Sequence, residues 1–329
     1  MISNVSFVVI ARNAEFAVRK CIKSICGMKL DNCEIICVDS ASTDGTLAVM
    51  KEFASLCSFI RVFKCSGRVN SAIARNVGRQ NISKEAVFFI DGDVEATPAF
   101  AEEALKIIRR GDADIVTGQL AEIYYEPGYK REIRRVTDRF LITCQKEVFF
   151  SGGCFIASAE VVRKAGPWDD LMVRNQDWDY TLKLSRHGRF LAIPISMGTH
   201  HTLLNLHRSW DFIRRGYPMY FGVVLRRNLD RPRVVMHLMW RNRAALLGMI
   251  FYCLLFVCVS ITCVHRDASM RIMTIPIALV ILDLAWSILR EKNVLSQLLL
   301  HYVHAPLALV GLFRNLNGQP LDVSIERVC

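Results

Sequence analysis

The amino-acid sequence predicts an α/β protein with a mostly parallel central sheet, followed by a C-terminal region of apolar helices. Short apolar, β-rich runs alternate with helical stretches through the first half of the chain. Apolar strands separated by helices imply a parallel sheet whose two faces are both covered. Long uncharged segments then fill the last third, and they raise the mean hydropathy to +0.25.

The strand–helix alternation is clearest before residue 120. Thr97 is the predicted N-cap of one helix and Pro98 its first residue, while Ser42 or Thr43 could cap another. The predicted strands are 5–10, 34–40, 59–64, 86–91 and 114–119, and the predicted helices are 15–25, 43–53, 70–80 and 98–110.

The pattern loosens after Tyr124. A strand interrupted by glycine is predicted over 149–158, and a further strand over 189–196. Between them, residues 175–188 form a polar loop that enters an amphipathic helix, which Gly188 ends. The domain boundary therefore falls near residue 205.

The remaining residues predict a membrane region in two parts. Residues 206–243 form a basic amphipathic segment, and residues 244–329 form transmembrane or interfacial helices. Residues 244–264 contain no charged side chain, which is sufficient for one span. Two further candidates are a span over 272–289 and an apolar helix over 294–313, which fits a span or a buried or interfacial helix equally well.

The charge distribution narrows the range of expected binding partners. The net charge is +11, and arginines are concentrated between residues 207 and 243, next to the apolar region. Basic residues beside a membrane segment favour anionic lipid headgroups at the cytoplasmic face. No nucleic-acid-binding motif accompanies them, so no nucleic acid is expected.

The cysteines and the N-terminus agree with an N-terminal domain in the cytoplasm. The twelve cysteines show no Cys-x-x-Cys spacing, which favours reduced thiols over a zinc site or disulfides. The N-terminus "MISNVSFVVIARNAE" reads as a first strand and lacks the features of a signal peptide. We expect a protein of the cell (inner) membrane whose N-terminal domain faces the cytoplasm.

Two common nucleotide-binding classes are disfavoured. No Gly-x-Gly-x-x-Gly follows a strand, and no Walker A sequence is present. Hydride transfer and P-loop hydrolysis are therefore poor candidates.

The stretch "AVFFIDGDV" carries the first candidate site. Asp91 and Asp93 follow an apolar strand, and Gly92 lets the turn bring their carboxylates together. Carboxylate pairs suit Mg²⁺ or Mn²⁺, which also bind diphosphate oxygens. A solvated turn is the alternative explanation for this spacing.

A second acidic pair, Asp177 and Asp179, lies in "RNQDWDY". Asp177 is a candidate general base for an acceptor hydroxyl. Helix capping is the simpler alternative, because Asp is favoured at helix starts. Trp168 and Trp178 flank the pair, where an indole could stack on a sugar or pack in the core.

Several segments in this order resemble glycosyltransferase family two, the inverting enzymes with the GT-A fold. The resemblance covers about residues 5–195. It rests on "VSFVVIARNAE", "EIICVDSASTDGT", "SAIARNVG", "FFIDGDV", "SGGCFIAS", "AGPWDD" and "NQDWDYTLKLSRHGR".

The resemblance implies roles for particular residues. Asp177 would be the catalytic base, and Asp93, supported by Asp91, would hold the metal. The implied nucleotide-sugar contacts are Ala11, Arg12, Asp39, Arg75 and Asp91, and the implied acceptor-side residues are Gly152, Gly153 and Trp178.

A histidine beyond the base is often a third metal ligand in related enzymes. His200 and His201 follow the last predicted strand, and His201 is chosen here as the candidate ligand. His207 is a weaker candidate. A loop or interface role is the alternative for each of them.

Two positions depart from the family pattern. Gln176 stands where a glutamate commonly precedes the base, and Ile10 stands where a proline is common. The Gln-x-x-Arg-Trp motif of processive synthases is absent, which favours addition of one sugar per encounter.

The implied function is metal-dependent transfer of a sugar from a nucleotide-sugar to a lipid-linked or glycan acceptor, in polysaccharide or glycan biosynthesis. One rival is a membrane-bound binding or assembly subunit that has lost catalysis. Another is a soluble enzyme with a buried helical C-terminal domain. Whether the protein forms a homo-oligomer stays open.

Overall fold

A computed structural model of the chain describes residues 1–137, 142–204, 208–264, 276–278, 280–283, 302–316 and 322–329. The chain divides into two compact units. Unit 1 contains Met1–Leu204 and Asn317–Cys329, and unit 2 contains Asn205–Leu316.

Unit 1 is built on one large twisted sheet. Its strands lie in the order β10-β12-β8-β11-β6-β2-β4-β5-β13, with β7 paired to β12 and β9 to β8. A separate short pair joins β1 to β3. The strands are β1 Ile2–Ser3, β2 Val5–Ala11, β3 Leu30–Asp31, β4 Glu34–Ser40, β5 Ile60–Gly67, β6 Ala86–Asp91, β7 Val94–Ala96, β8 Ile115–Tyr125, β9 Glu132–Val136, β10 Lys146–Glu147, β11 Phe155–Ser158, β12 Phe190–Leu203 and β13 Val323–Arg327.

Helices cover both faces of this sheet with two apolar clusters. The Asn70 side chain caps α3 by accepting a hydrogen bond from the Ile73 backbone N–H at 3.0 Å. Pro98 begins α4, where the missing N–H costs no helical hydrogen bond. The helices of unit 1 are α1 Glu15–Cys26, α2 Thr46–Leu56, α3 Ser71–Gln80, α4 Pro98–Arg109, α5 Ala159–Ala165 and α6 Gln176–Leu184.

The sheet is mixed, whereas the sequence predicted a mostly parallel one. The four neighbouring strands β5, β4, β2 and β6 are parallel, as are β8 and β12. Between these two groups, β11 runs antiparallel to both β6 and β8. Apolar residues fit the interior of either kind of sheet, so composition alone does not give strand direction.

Thr97 is the N-cap residue of α4, as predicted, but its hydroxyl donates to the Ser196 backbone carbonyl. Two other local predictions were wrong. The helix predicted from residue 43 begins at Thr46, so neither Ser42 nor Thr43 is its N-cap. The segment after residue 316 contributes β13, an edge strand antiparallel to β5, where only helices were predicted.

Unit 2 is helical in the part of it that the structure describes. Its helices α8 and α11 cross at glycine, since a methyl group on Gly222 would overlap the Ala308 carbonyl and one on Gly311 the Met219 carbonyl. The helices are α7 Arg208–Arg214, α8 Pro218–Arg226, α9 Pro232–Arg241, α10 Arg243–Val264 and α11 His304–Phe313.

Among the described residues, no individual helix has both the length and the apolarity for a membrane crossing. The helices over Pro232–Arg241 and Leu246–Ile261 reach that threshold only as a pair, and they meet at 101°. Most of the predicted span 272–289, and residues 294–301 of the third candidate, lie outside the described residues.

Candidate active site

The candidate site begins where three parallel strands end. Ile10 in β2 pairs with Asp91 in β6, and Ala11 pairs with Asp39 in β4. Both aspartates therefore flank the last residues of β2 at the carboxyl edge of the sheet, where open α/β sheets bind ligands. A side chain at Gly92 would approach Ala11 Cβ to 2.7 Å, so the turn needs glycine.

Arg75 projects from α3 and forms an ion pair with Asp91. The Arg75 side chain is only 5% exposed, whereas that of Asp91 is 35% exposed. Among the described residues, Arg75 Nη1 has no hydrogen-bond partner. A buried unpaired donor beside a carboxylate is suited to binding an anionic group of a ligand.

The glycine pair keeps this space open. A methyl group on Gly153 would lie 2.7 Å from Asp91 Oδ2 and would overlap the Arg75 guanidinium. A methyl group on Gly152 would lie 3.9 Å from Asp177 Oδ2. The loop before β11 therefore passes between the ion pair and the candidate base.

Asp177 lies in the first turn of α6 and not ahead of it, because α6 begins at Gln176. Its Oδ1 accepts a hydrogen bond from the Trp178 backbone N–H at 3.0 Å. Burial raises the pKa of Asp177, and the nearby charge of Arg75 offsets part of that rise. A carboxylate with a raised pKa is a stronger base, which suits proton abstraction.

The Asp93 carboxylate lies within hydrogen-bond distance of a histidine. Its Oδ2 lies 3.0 Å from His200 Nε2, and His200 Nδ1 lies 3.2 Å from Glu122 Oε1. Burial alone would lower the pKa of His200, but the two carboxylates outweigh it and raise the pKa to about 10. His200 is therefore an imidazolium at neutral pH and neutralises part of the acidic cluster.

His201, the metal-ligand candidate from the sequence, contacts residues other than Asp93. Its Nδ1 lies 3.1 Å from the Tyr125 hydroxyl and its Nε2 lies 3.2 Å from Glu95. The ring is 1% exposed. Because side chains alternate along β12, consecutive histidines point to opposite faces, and His200 is the one that reaches Asp93. His207 lies outside the described residues.

Hydrogen bonds join the turn after β2 to the loop after β4. The Asn13 backbone N–H donates to Ser42 Oγ at 3.0 Å, and that of Glu15 donates to Asp44 at 3.2 Å. Ser42 and Asp44 therefore act in turn structure. Asp39 is 1% exposed, and its Oδ1 has no partner among the described residues.

Arg12 and Trp178 lie at the edges of the site. Arg12 is exposed, and its Nη1 donates to the Val69 carbonyl at 3.4 Å. Trp178 is half-buried and packs on Phe150 with ring centroids 4.7 Å apart. Both positions leave these side chains accessible to a ligand.

Among the described residues, no three His, Cys, Asp or Glu side chains converge to hold a metal ion. Asp93 Oδ1 is buried and has no hydrogen-bond partner there. Mg²⁺ commonly takes only one or two protein carboxylates and completes its shell with water and substrate phosphates. A carboxylate oxygen without a partner fits that mode of binding.

The fold thus brings together Arg75, Asp91, Gly152, Gly153 and Asp177, which are far apart in sequence. It adds Glu122, which is 3% exposed and which the sequence analysis did not select. The signal in the sequence was a glutamate within a strand. Its proximity to His200 is seen only once β8 is paired with β12.

The site and the fold agree with known proteins. A model of the family described as Glycosyl transferase family 2 matches residues 6–166. Just under half of the chain, within unit 1, therefore matches a glycosyl transferase family 2 domain.

Three relatives illustrate the range of similarity. "Glycosyltransferase GlyA" of Streptococcus pneumoniae is 33% identical over 114 residues, 35% of this chain and 16% of that protein. "Putative glycosyltransferase EpsH" of Bacillus subtilis is 30% identical over 31% of this chain and 29% of that protein. "Glycosyltransferase AglE" of Haloferax volcanii is 23% identical over 63% of this chain and 68% of that protein. The chain thus spans well under two thirds of GlyA and EpsH.

Solved structures of S. aureus TarS share the fold. TarS 1-349 superposes with a TM-score of 0.52 at 16% identity, over 68% of this chain and 63% of that chain. The TarS 1-349 complex with UDP-GlcNAc gives 0.53 at 17% identity, over 67% and 66%. At such low identity the likeness establishes a GT-A-like α/β fold.

Proposed function

We propose that this protein is a glycosyltransferase that moves one sugar from a nucleotide-sugar to an acceptor, with inversion at the anomeric carbon. The observation that carries the proposal is the convergence of Arg75, Asp91 and Asp177 around Gly152 and Gly153 at the carboxyl edge of the sheet. The names of the relatives and the UDP-GlcNAc complex of TarS support it.

Asp177 is the general base of the proposed reaction. Its carboxylate takes the proton of the acceptor hydroxyl while the acceptor oxygen attacks the anomeric carbon. The bond from that carbon to the diphosphate oxygen breaks, and the nucleoside diphosphate leaves. A single displacement of this kind inverts the configuration.

The donor lies along the edge formed by β2, β4 and β6. Asp39, with its unpaired Oδ1, and the turn at Ala11 and Arg12 receive the nucleotide. Arg75 offers its free Nη1 to the anionic part of the donor, beside Asp91. These assignments follow the positions of unsatisfied polar groups, which ligands commonly fill.

Asp93 and Asp91 are the residues that would hold Mg²⁺ or Mn²⁺. When bound, such an ion neutralises the charge that develops on the departing diphosphate. His200 lies beside Asp93, and its positive charge stabilises the Asp93 carboxylate when no metal ion is bound. His201 has its own partners in Glu95 and Tyr125, which argues against it as a ligand.

Unit 2 is the proposed contact with a membrane. Helix α9 exposes one stripe of four residues at helical spacing, namely Arg233, Met236, His237 and Trp240. Met236 is 66% and Trp240 74% exposed. Arginine beside exposed aromatic and apolar side chains is the composition of a helix that lies in an anionic lipid interface. On this proposal the acceptor is lipid-linked and lies at the cytoplasmic face of the inner membrane.

Strand β13 limits how unit 2 can cross that membrane. Residues before and after unit 2 belong to the same folded unit, because β13 pairs with β5. Any complete crossings between them must be even in number. Three spans are thereby disfavoured, and a thiol reagent that cannot cross the membrane should label Cys144 and Cys329 from the same side.

The transfer itself can be tested with membranes, labelled nucleotide-sugars and added Mn²⁺. We expect labelled acceptor in the wild type, and loss of label with EDTA, with the Asp91→Ala/Asp93→Ala double variant and with Asp177→Asn. Full transfer by Asp177→Asn would exclude the mechanism. Nucleotide binding without turnover on any acceptor would instead favour a non-catalytic binding subunit.

A further inference from the structure

A buried indole connects the two sides of the candidate site. The Arg75 guanidinium lies 4.8 Å from the centroid of the Trp168 ring. The same Trp168 stacks on Tyr180, with centroids 3.9 Å apart and ring planes 12° from parallel. Trp168 and Tyr180 are 2% and 1% exposed. Attraction between a cation and an aromatic ring is strongest when both are shielded from water, as here.

The backbone of Trp168 is fixed as firmly as its ring. The Asn76 side chain accepts from the Trp168 N–H at 2.8 Å and donates to its carbonyl at 2.9 Å. Asn76 follows Arg75 directly in α3. Helix α3 therefore fixes the Trp168 backbone through Asn76 and places the Arg75 guanidinium against the Trp168 ring.

The two residues that contact the indole, Arg75 and Tyr180, lie on different sides of the candidate site. Arg75 forms the ion pair with Asp91 on the donor side. Tyr180 stands three residues after Asp177 in α6, nearly one turn along, so its packing fixes the helix that carries the base. The charge of Arg75 also acts on Asp177.

We infer that Trp168 is a positioning residue, whose indole sets the placement of Arg75 relative to both Asp91 and the helix carrying Asp177. This inference rests on the proposed transferase function. A purely structural indole would contribute to core packing alone, as its neighbours Phe89 and Phe155 do.

The test compares Trp168→Leu, Trp168→Phe and the matched core variant Phe155→Leu in the full chain. Phe155 is fully buried and packs against the same indole, with ring centroids 6.4 Å apart. We measure kcat, the pH dependence of kcat/KM and the thermal midpoint of each variant.

We expect Trp168→Leu to lower kcat about tenfold, the scale of a desolvated cation–π contact. Its acidic limb of kcat/KM should move to higher pH, because a displaced Arg75 stabilises the Asp177 carboxylate less. Trp168→Phe keeps a weaker ring face, so it should lower kcat less and shift the acidic limb in the same direction by a smaller, measurable amount. Phe155→Leu should lower only the thermal midpoint.

A folded Trp168→Leu variant with the wild-type kcat and acidic limb would overturn the inference. If that variant does not fold, Trp168→Phe decides the question, since a weaker ring face should still move the acidic limb upward and an unmoved limb overturns the inference. Failure of the proposed function is recognised separately, because the wild type would then transfer no sugar at all.

Discussion

The two units differ in what they bury and what they expose. Unit 1 buries polar groups such as Asp39, Arg75 and Glu122 beneath the edge of its sheet. Unit 2 contains 14 Lys and Arg against 5 Asp and Glu, so +9 of the net +11 lies there. It also exposes large apolar side chains, with Phe256 at 73% and Trp240 at 74%.

Under the proposed function, this difference assigns catalysis to unit 1 and membrane attachment to unit 2. Buried polar groups need partners: Arg75 is paired with Asp91 and Glu122 with His200, whereas Asp39 Oδ1 is left for a ligand at the edge of the sheet. Exposed apolar groups next to arginine need a medium that is both apolar and anionic. We therefore expect changes in unit 1 to alter catalysis or folding, and changes on α9 to alter only lipid binding.

The largest effect should come from the base. Asp177→Asn keeps the shape of the side chain but removes the proton acceptor, so kcat should fall about 10³-fold. Because burial raises the pKa of Asp177, wild-type activity should disappear on acidification at a higher pH than an ordinary aspartate would give. Initial rates across a pH series measure both.

Asp179→Asn, two residues further along α6, is the matched control and should keep most of the activity. The division between the units would be weakened if Asp177→Asn also released the protein from lipid vesicles.

A second effect concerns the packing inside unit 2. Gly222→Leu would force a side chain into the Ala308 carbonyl and separate α8 from α11. We expect a loss of about 3 kcal/mol of unfolding free energy from that helix pair. Limited proteolysis should then cut unit 2 while nucleotide binding by unit 1 persists.

Val310→Leu is the control for this variant, because Val310 is 52% exposed on α11 beside Gly311. It should leave the proteolysis pattern unchanged. Equal loss of nucleotide binding and of protease resistance in Gly222→Leu would mean that the two units fold as one.

A third effect concerns a buried ion pair away from the site. Glu34 accepts from Ser6 at 2.6 Å and from the Ser83 backbone N–H at 2.6 Å, and pairs with Arg61 at 2.5 Å. Burial works to raise the pKa of Glu34, but these hydrogen bonds and this charge lower it overall. Glu34→Gln should cost about 2 kcal/mol, because it leaves the charge of Arg61 without its carboxylate partner.

The sign of the pH dependence follows from that lowered pKa. The stabilisation is present above the unfolded-state pKa and is lost as pH falls through the lower folded-state pKa. The stability difference between wild type and Glu34→Gln should therefore shrink on acidification, as measured by denaturant titration. Glu103→Gln, at an exposed pair with Lys106, should change stability by much less.

The smallest effect should be on lipid binding. Trp240→Ala removes an indole from the exposed stripe of α9 and should lower the partition onto anionic vesicles about fivefold. Vesicle co-sedimentation measures this. Leu56→Ala, at a residue in unit 1 that is equally exposed at 74%, should leave the partition unchanged. An equal loss in both variants would remove α9 as the binding surface.

Much of unit 1 was determined by the sequence alone. The predicted strand 34–40 matches β4 in full, 86–91 matches β6, and the helix predicted from Pro98 begins there. These elements are set by local patterns of apolar residues, caps and glycine, which need no distant partner. The glycosyl transferase family 2 assignment likewise rested on short segments in order.

Other features were decided only by the tertiary structure. Which of His200 and His201 lies beside Asp93 depends on the face of β12 that each occupies, and that depends on the pairing of β12 with β7 and β8. Strand β11 runs antiparallel, and β13 returns from beyond unit 2, because an edge strand needs a partner that sequence spacing does not reveal. The contact of Arg75 with Trp168 joins residues 93 positions apart, and only the packing of α3 against the segment before α6 brings them together.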